Sequence, residues 1–263
     1  MVKITNLENQ DRSIIDQLGN FSVLEYERDP SVSPANATSE YFMGRMGVHK
    51  RQVIIDVDDN HPAVLQAGAM QVIVGDVNAR TGIKGVGDFF GKAVRGKMTG
   101  ESAIKPEYVG NGQLFLEPTY HHIILQDVAD WPAGMVLEDG LFLACDGHVQ
   151  HRMVARSNLS SATLGGEGLF NLSLQGRGVV ALESNVPESE LIEIILDNDM
   201  VRIDGPYAVC WSASLDFTVE RSSKTLLGSA VNKEGLVNVY RGSGRILACL
   251  TASTASLYAA SIT

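Results

Sequence analysis

A threefold internal repetition constrains the fold of this chain more than any other feature. The segment Val64-Leu-Gln-Ala-Gly68 returns as Val136-Leu-Glu-Asp-Gly140, and a weaker copy, Val201-Arg-Ile-Asp-Gly205, follows at a similar interval. A unit of roughly 65 residues built from short strands buries too little surface to be stable alone. The three units are therefore expected to pack into one compact body.

A second landmark, two glycines separated by one residue, occurs three times with equal spacing. Gly110-Asn-Gly112, Gly176-Arg-Gly178 and Gly242-Ser-Gly244 follow one another at one constant interval, without a gap. We expect these glycines to supply the positive φ of tight turns between strands. None of them stands between a strand and a helix in a complete G-x-G-x-x-G pattern, so a phosphate-binding loop is disfavoured.

A glutamate precedes each glycine pair by eight or nine residues. We interpret these glutamates as hydrogen-bond acceptors in turns or between repeats, and a ring of charge near an axis is the alternative. They are Glu101, Glu167 and Glu234.

Apolar runs of the strand-forming type precede the landmarks, which predicts an all-β fold. The runs are Val53-Ile-Ile55, Ile123-Ile-Leu125 and residues 191–196. In the lead-in, the alternation from Phe21 to Tyr26 predicts one added edge strand, ended by Pro30 and Pro34. The chain divides into a lead-in (1–50), three β repeats (51–118, 119–184 and 185–252) and a C-terminal tail (253–263).

The first repeat contains about six additional residues between Gly75 and Gly110, and this interval holds the one clearly basic stretch of the chain. From Lys84 to Lys97, four basic residues oppose one acidic residue. The pattern predicts a short amphipathic helix near residues 87–97. We favour a helix that closes the end of a barrel, and contact with a membrane surface or an acidic partner is the alternative. The residues of that contact would be Phe89, Phe90, Lys92, Arg95 and Lys97.

Composition limits the partners and the compartment. The 263 residues include 21 basic and 31 acidic side chains, and the resulting net charge of −10 opposes binding to nucleic-acid phosphates. Three cysteines are too few for a disulfide framework, and none lies in a C-x-x-C pair. The first twenty residues carry five charged side chains and no secretory signal. We therefore expect a cytoplasmic protein that binds no nucleic acid.

Several glycine-rich pieces, in their order over residues 50–252, resemble the altered-inheritance-of-mitochondria (mitochondrial biogenesis) family, whose bacterial members are mostly uncharacterised. The pieces are Ala67-Gly-Ala-Met70 with Gly75-Asp-Val77, Thr99-Gly-Glu-Ser102, Gly165-Gly-Glu-Gly-Leu-Phe170 and Glu234-Gly-Leu-Val237. The resemblance implies three repeats of the short double-stranded β-helix of the tryptophan RNA-binding attenuation protein, arranged with pseudo-threefold symmetry. It also implies a homotrimer whose nine repeats close a ring. It supplies no catalytic residues, and fold alone transfers neither RNA nor tryptophan binding.

The histidines are the candidates for a metal site like that of cupins, which uses two histidines one residue apart on a strand. Here His148 and His151 are three residues apart and His121 and His122 are adjacent, so the members of each pair point to opposite faces of a strand. Folding could still bring His121 or His122 near His148, and these three are the weak candidates for metal ligands. We expect no metal and no cofactor.

The cysteines and tryptophans are interpreted as packing residues. Cys145 and Cys210 occupy the same repeat position within apolar stretches, which favours buried, inert thiols over nucleophiles. Trp131 is predicted at a loop tip and Trp211 on the strand after Cys210, where each anchors packing or lines a ligand cleft.

No motif identifies a reaction, so the sequence favours a non-catalytic protein. The first hypothesis is an oligomeric β-ring that serves as a scaffold or partner-binding platform. The alternative is a cupin-like small-molecule binder or metal enzyme, motivated by the β-helix and the scattered histidines. A further alternative is a peripheral membrane-associated protein that binds through Phe89 and Phe90 of the predicted helix.

Overall fold

The computed structural model describes residues 2–80, 105–131, 133–155, 170–205, 207–221 and 236–251. The described chain is almost entirely antiparallel strand, which confirms the all-β prediction. The apolar runs that predicted strands all lie in strands, because β-branched and leucine side chains fit a pleated, buried surface. The predicted helix near residues 87–97 lies outside the described residues.

The lead-in contains more structure than the sequence predicted. The strands β1 (Arg12–Leu18) and β2 (Phe21–Tyr26) form a hairpin, and helix α1 (Ala37–Arg45) follows. The strand predicted from Phe21 to Tyr26 is present, but it is not at the edge. It pairs with β1 on one side and β3 on the other, so β1 takes the outer position.

The remaining strands follow in three groups along the chain. The first group is β3 (Lys50–Val57), β4 (Ala63–Leu65), β5 (Met70–Arg80) and β6 (Glu107–Leu116). The second group is β7 (His122–Asp127), β8 (Met135–Leu137), β9 (Phe142–Asp146), β10 (Gln150–Ala155), β11 (Phe170–Gln175) and β12 (Val179–Ser184). The third group is β13 (Leu191–Asp204), β14 (Ala208–Ser212), β15 (Asp216–Arg221) and β16 (Leu236–Cys249). Short 3-10 helices, Val128–Asp130 and Glu188–Glu190, lie between strands.

Within the described residues the strands form two sheets, and every pairing is antiparallel. One sheet has the order β1-β2-β3-β6-β4-β9-β12-β7, with β5 also paired to β6. The other has the order β10-β11-β8-β14-β16-β13, with β15 also paired to β16. Long strands such as β6 and β16 therefore bind different neighbours along their two halves.

The core of the described chain consists of three apolar clusters that follow one another along the sequence. The first contains Phe21, Ile55 and Leu114, the second is built around Trp131, and the third around Trp211. These five side chains are at most 2% exposed. Burial of a large apolar side chain contributes roughly 1.5 to 3 kcal/mol, so each cluster stabilises its own strand group.

The repeated glycines have the expected backbone conformation but not the expected location. Gly110 and Gly242 have φ of +126° and +117°, yet both lie inside continuous strands, β6 and β16. Gly176 and Gly178 also have positive φ, and they form the bend between β11 and β12. The prediction of a turn was thus wrong for Gly110 and Gly242. A glycine can take this φ within a strand while the strand keeps its partner.

Candidate functional site

In the described residues two joints connect the strand groups, and the first is formed by β4 and β9. Val64 of β4 lies opposite Cys145 of β9. At one end of this joint the Gly147 amide donates to the Pro62 carbonyl at 2.7 Å. The first group thus continues into the second as one sheet.

The second joint, between β8 and β14, repeats this geometry. Leu137 of β8 lies opposite Cys210 of β14. The Ala213 amide donates to the Gly134 carbonyl at 2.8 Å. The acceptors Pro62 and Gly134 and the donors Gly147 and Ala213 therefore recur at the intervals of the two sequence landmarks.

Two strands that correspond to these joint positions carry exposed apolar side chains. In the described part of the chain, β5 pairs only with β6 and β13 pairs only with β16. Val72 and Ile73 of β5 are 44% and 36% exposed, and Met200 of β13 is 45% exposed. Open apolar edges of this kind are templates for pairing with another chain. We call residues 70–75 of β5 and residues 199–204 of β13 the open edges.

The structure separates the histidines that were candidates for metal ligands. His122 lies opposite Ser184 at one end of β12, whereas His148 follows β9, whose Cys145 lies opposite Val180 near the other end. Four residues of strand span about 13 Å. His148 instead bonds locally, with Nδ1 2.9 Å from Asp146 Oδ1. Among the described residues, no group of three His, Cys, Asp or Glu side chains could hold a metal ion.

His122 has a perturbed titration. Burial, together with the positive charge of Arg51 and the neighbouring His121 and His49, lowers its pKa from 6.5 to about 4. A neutral imidazole is therefore built into the folded state at the start of β7. The sequence could not indicate this, since Arg51 lies in the preceding repeat, far from His122 along the chain.

The lowered pKa of His122 predicts a loss of stability in mild acid. Between pH 6.5 and about 4 the unfolded chain binds a proton at His122 that the folded chain does not, so stability falls as the pH falls through this window. We expect a loss of roughly 1 kcal/mol from pH 7 to pH 5, after screening by solvent is considered. Urea unfolding at both pH values measures it.

His122→Gln should reduce this pH dependence, and His61→Gln, which replaces an exposed histidine between β3 and β4, should leave it unchanged. Asp29, whose pKa is lowered to about 2 by its bonds to Lys50 and Ser31, acts only below about pH 4. Equal pH dependence in His122→Gln and wild type would contradict the assignment.

The thiols are buried, as predicted. Cys145 and Cys210 have no exposed surface, and burial raises the pKa of both, to about 12 for Cys145. A thiol with so high a pKa supplies almost no thiolate at neutral pH, so neither residue is a nucleophile.

The two tryptophans have different surroundings. Trp211 packs against Phe217 and Tyr240, with ring centroids 5.2 Å from each. Trp131 lies just after a 3-10 helix, and the Arg245 guanidinium is 4.0 Å from its ring centroid. Trp131 also borders a cleft of about 760 Å³ whose other wall includes Gly176 and Arg177. Trp211 therefore anchors packing, and Trp131 both packs and lines a cleft.

Other residues singled out in the sequence lie outside the described residues. They are Phe89, Phe90, Lys92, Arg95 and Lys97 of the predicted helix, and Glu101, Glu167 and Glu234. Contact with a membrane surface or an acidic partner at residues 87–97 stays a prediction. Among the described residues, no helix is long and apolar enough to cross a membrane.

A polar network beneath α1 was not indicated by any pattern in the sequence. The Lys50 ammonium lies 2.5 Å from Asp29 Oδ2 and 5.3 Å from the ring centroid of Tyr120. The Tyr120 hydroxyl in turn donates to Glu40 of α1 at 2.5 Å. Its bond to Asp29 raises the pKa of Lys50, so the pair is charged at neutral pH. The spacing of Asp29, Lys50 and Tyr120 along the chain follows no motif.

The fold and the open edges define an all-β protein of linked antiparallel sheets without a recognisable catalytic centre in the described residues. The chain belongs to the mitochondrial biogenesis AIM24 family, which matches residues 46–249. This confirms the resemblance found in the sequence.

Two relatives extend the comparison. An uncharacterised protein from Streptococcus pyogenes serotype M6 is 32% identical over 202 residues, which are 74% of this chain and 79% of that protein. The crystal structure of a protein from Streptococcus pyogenes is similar with a TM-score of 0.59 and 28% identity, over 81% of this chain and 93% of the other. Neither description names an activity.

Proposed function

We propose that the chain is a non-catalytic protein that assembles with copies of itself into a β-ring, a homotrimer, and serves as a scaffold or partner-binding platform. The observation that carries the proposal is the presence of two open apolar edges on one chain. Pairing of one edge with the other, between copies, would bury both and leave neither exposed.

The proposal includes three structural repeats, and the strand registers support them. Met70 lies opposite Leu116, Phe142 opposite Leu182, and Ala208 opposite Ala248. Both members of each pair advance from one group to the next by the intervals of the sequence landmarks. Chance pairings would not keep the same offsets on both strands. A short double-stranded β-helix with pseudo-threefold symmetry fits this recurrence.

The same offsets identify the strands of a third joint. Val64 and Val136 correspond to Val201 on β13, and Cys145 and Cys210 correspond to Ile73 on β5. We therefore expect Val201 of one copy to lie opposite Ile73 of the next, as Val64 lies opposite Cys145 within the chain. By the same rule the Gly75 amide would donate to the Asp199 carbonyl of the neighbouring copy.

A head-to-tail joint of this kind uses different surfaces on its two sides, so it closes into a ring when the rotation allows. Three copies would place nine repeats in the ring. The cysteines support the proposed cytoplasmic location, because Cys145, Cys210 and Cys249 are all buried as thiols.

Light scattering after size-exclusion chromatography tests the assembly. We expect a single species at micromolar concentration with three times the 28.3 kDa mass of one chain. A single species at 28.3 kDa would contradict the proposal. A stable species with another number of copies would keep the assembly but overturn the trimer.

A further inference from the structure

A cavity of about 360 Å³ lies beneath helix α1. Its walls come from the end of β2, the connection to α1, α1 itself and the start of β3, all between Tyr26 and Lys50. The family match begins at residue 46, so most of the cavity belongs to the part of the chain that precedes it. Its volume lies within the range of small-molecule sites.

Helix α1 covers this cavity without packing into it. A surface helix normally buries one apolar stripe, but no residue of α1 is buried, and Tyr41 and Phe42 are both exposed. The bond from Tyr120 to Glu40 tethers the helix to the sheet. The apolar groups beneath the helix therefore lack the contacts that a well-packed interior would give them.

The charges around the cavity are unevenly compensated. Asp29 accepts hydrogen bonds from Lys50 and Ser31, and Glu40 accepts one from Tyr120. Of the remaining lining groups, Arg45 and His49 form no ion pair within the described part of the chain. Glu27 is also without one there and lies exposed beside Arg28, which is paired with Asp11.

Arg45 and His49 lie at the same end of the cavity, around Gly44. A Cβ on Gly44 would be 3.6 Å from His49 Cε1, so the absent side chain keeps this end open. A guanidinium and an imidazole together favour the carboxylate of a ligand. Val32 and Val48 line the cavity and would contact an apolar chain.

We propose that the cavity beneath α1 binds a small carboxylate with a short apolar chain, with the carboxylate at Arg45 and His49 and the chain against Val32 and Val48. The ligand supplies the apolar contacts that α1 lacks. This site is independent of the open edges, so binding and assembly can fail separately.

Titration calorimetry on the full chain with octanoate as the probe tests the site. We expect saturable binding of one octanoate per chain, and at least tenfold weaker binding of octylammonium, which has the same chain and the opposite charge. Equal affinity for the two probes, or no saturation by octanoate, would overturn the proposal.

Gly44→Leu should abolish octanoate binding because the side chain enters the cavity, and the helix should persist because leucine favours helix over glycine. Arg45→Gln should weaken binding about tenfold. Phe42→Leu is the matched control on α1, because Phe42 does not line the cavity, and its affinity should equal that of wild type. Circular dichroism verifies that each variant is folded. Wild-type affinity in a folded Gly44→Leu variant would place the ligand elsewhere.

Discussion

Ile73→Lys is expected to convert the assembled protein into a folded 28.3 kDa monomer. Ile73 is partly exposed on β5, and the repeat offsets place it opposite Val201 of the next copy. A lysine there removes an apolar contact and puts a positive charge beside Arg202. Loss of a central apolar contact in an interface costs about 2 kcal/mol or more, which weakens association at least about 30-fold.

The matched control is Ile195→Lys. Ile195 lies on β13 and is 73% exposed, but it lies in the first half of that strand, away from residues 199–204. Light scattering at micromolar concentration should give the mass of a monomer for Ile73→Lys and of the assembly for Ile195→Lys. Dissociation by both variants would mean that any exposed charge on the sheets disrupts assembly. Dissociation by Ile195→Lys alone would move the interface to the other half of β13.

Ile73→Glu distinguishes the proposed register from a general intolerance of charge at the edge. A glutamate at residue 73 would lie beside Arg202 of the next copy, and opposite charges on adjacent strands attract. We therefore expect Ile73→Glu to dissociate less than Ile73→Lys, and the difference should shrink in high salt. Equal dissociation of the two variants would contradict the register while leaving the edge itself as the interface.

The glycine landmarks were the most informative part of the sequence, and their limit is physical. They identified backbone positions that need positive φ, such as Gly110 and Gly242. They could not reveal whether the chain reverses there, because a kinked strand and a turn place the same demand on one residue. The partner strand decides the matter, and β5 pairs with β6 on both sides of Gly110.

The lead-in was harder to predict because its elements bury little. β2 was found from its alternation, and Phe21 and Val23 are fully buried. β1 was missed because none of its residues is buried, so its sequence carries no alternation. Helix α1 was missed for the same reason, and the cavity beneath it was missed with the helix.

The open edges could not be read from the sequence at all. Val72 and Ile73 resemble a buried strand as closely as Val53 and Ile55 do. Only the pairing pattern reveals that β5 has β6 on one side and no other strand, within the described residues, on the other. The repeats define what a joint looks like, and the structure supplies which joint is missing within one chain.

Gly110→Ala is expected to destabilise the fold by roughly 3 kcal/mol, or about 10 °C in melting temperature. Gly110 combines a φ of +126° with close approach of the neighbouring strand, and a Cβ on it would overlap the carbonyl oxygen of Asp76. Relief of the overlap would require β5 and β6 to separate where they are paired. Urea and thermal unfolding measure the loss.

Gly68→Ala is the control that separates the two causes. Gly68 also has a positive φ, +87°, but a Cβ there would meet nothing within 4 Å. Its substitution should therefore cost only the conformational strain, about 1 kcal/mol. If the two variants lose the same stability, the overlap with Asp76 contributes nothing. If Gly110→Ala loses more, as expected, the glycine is required because two strands meet there, which explains a glycine inside a strand rather than at its end.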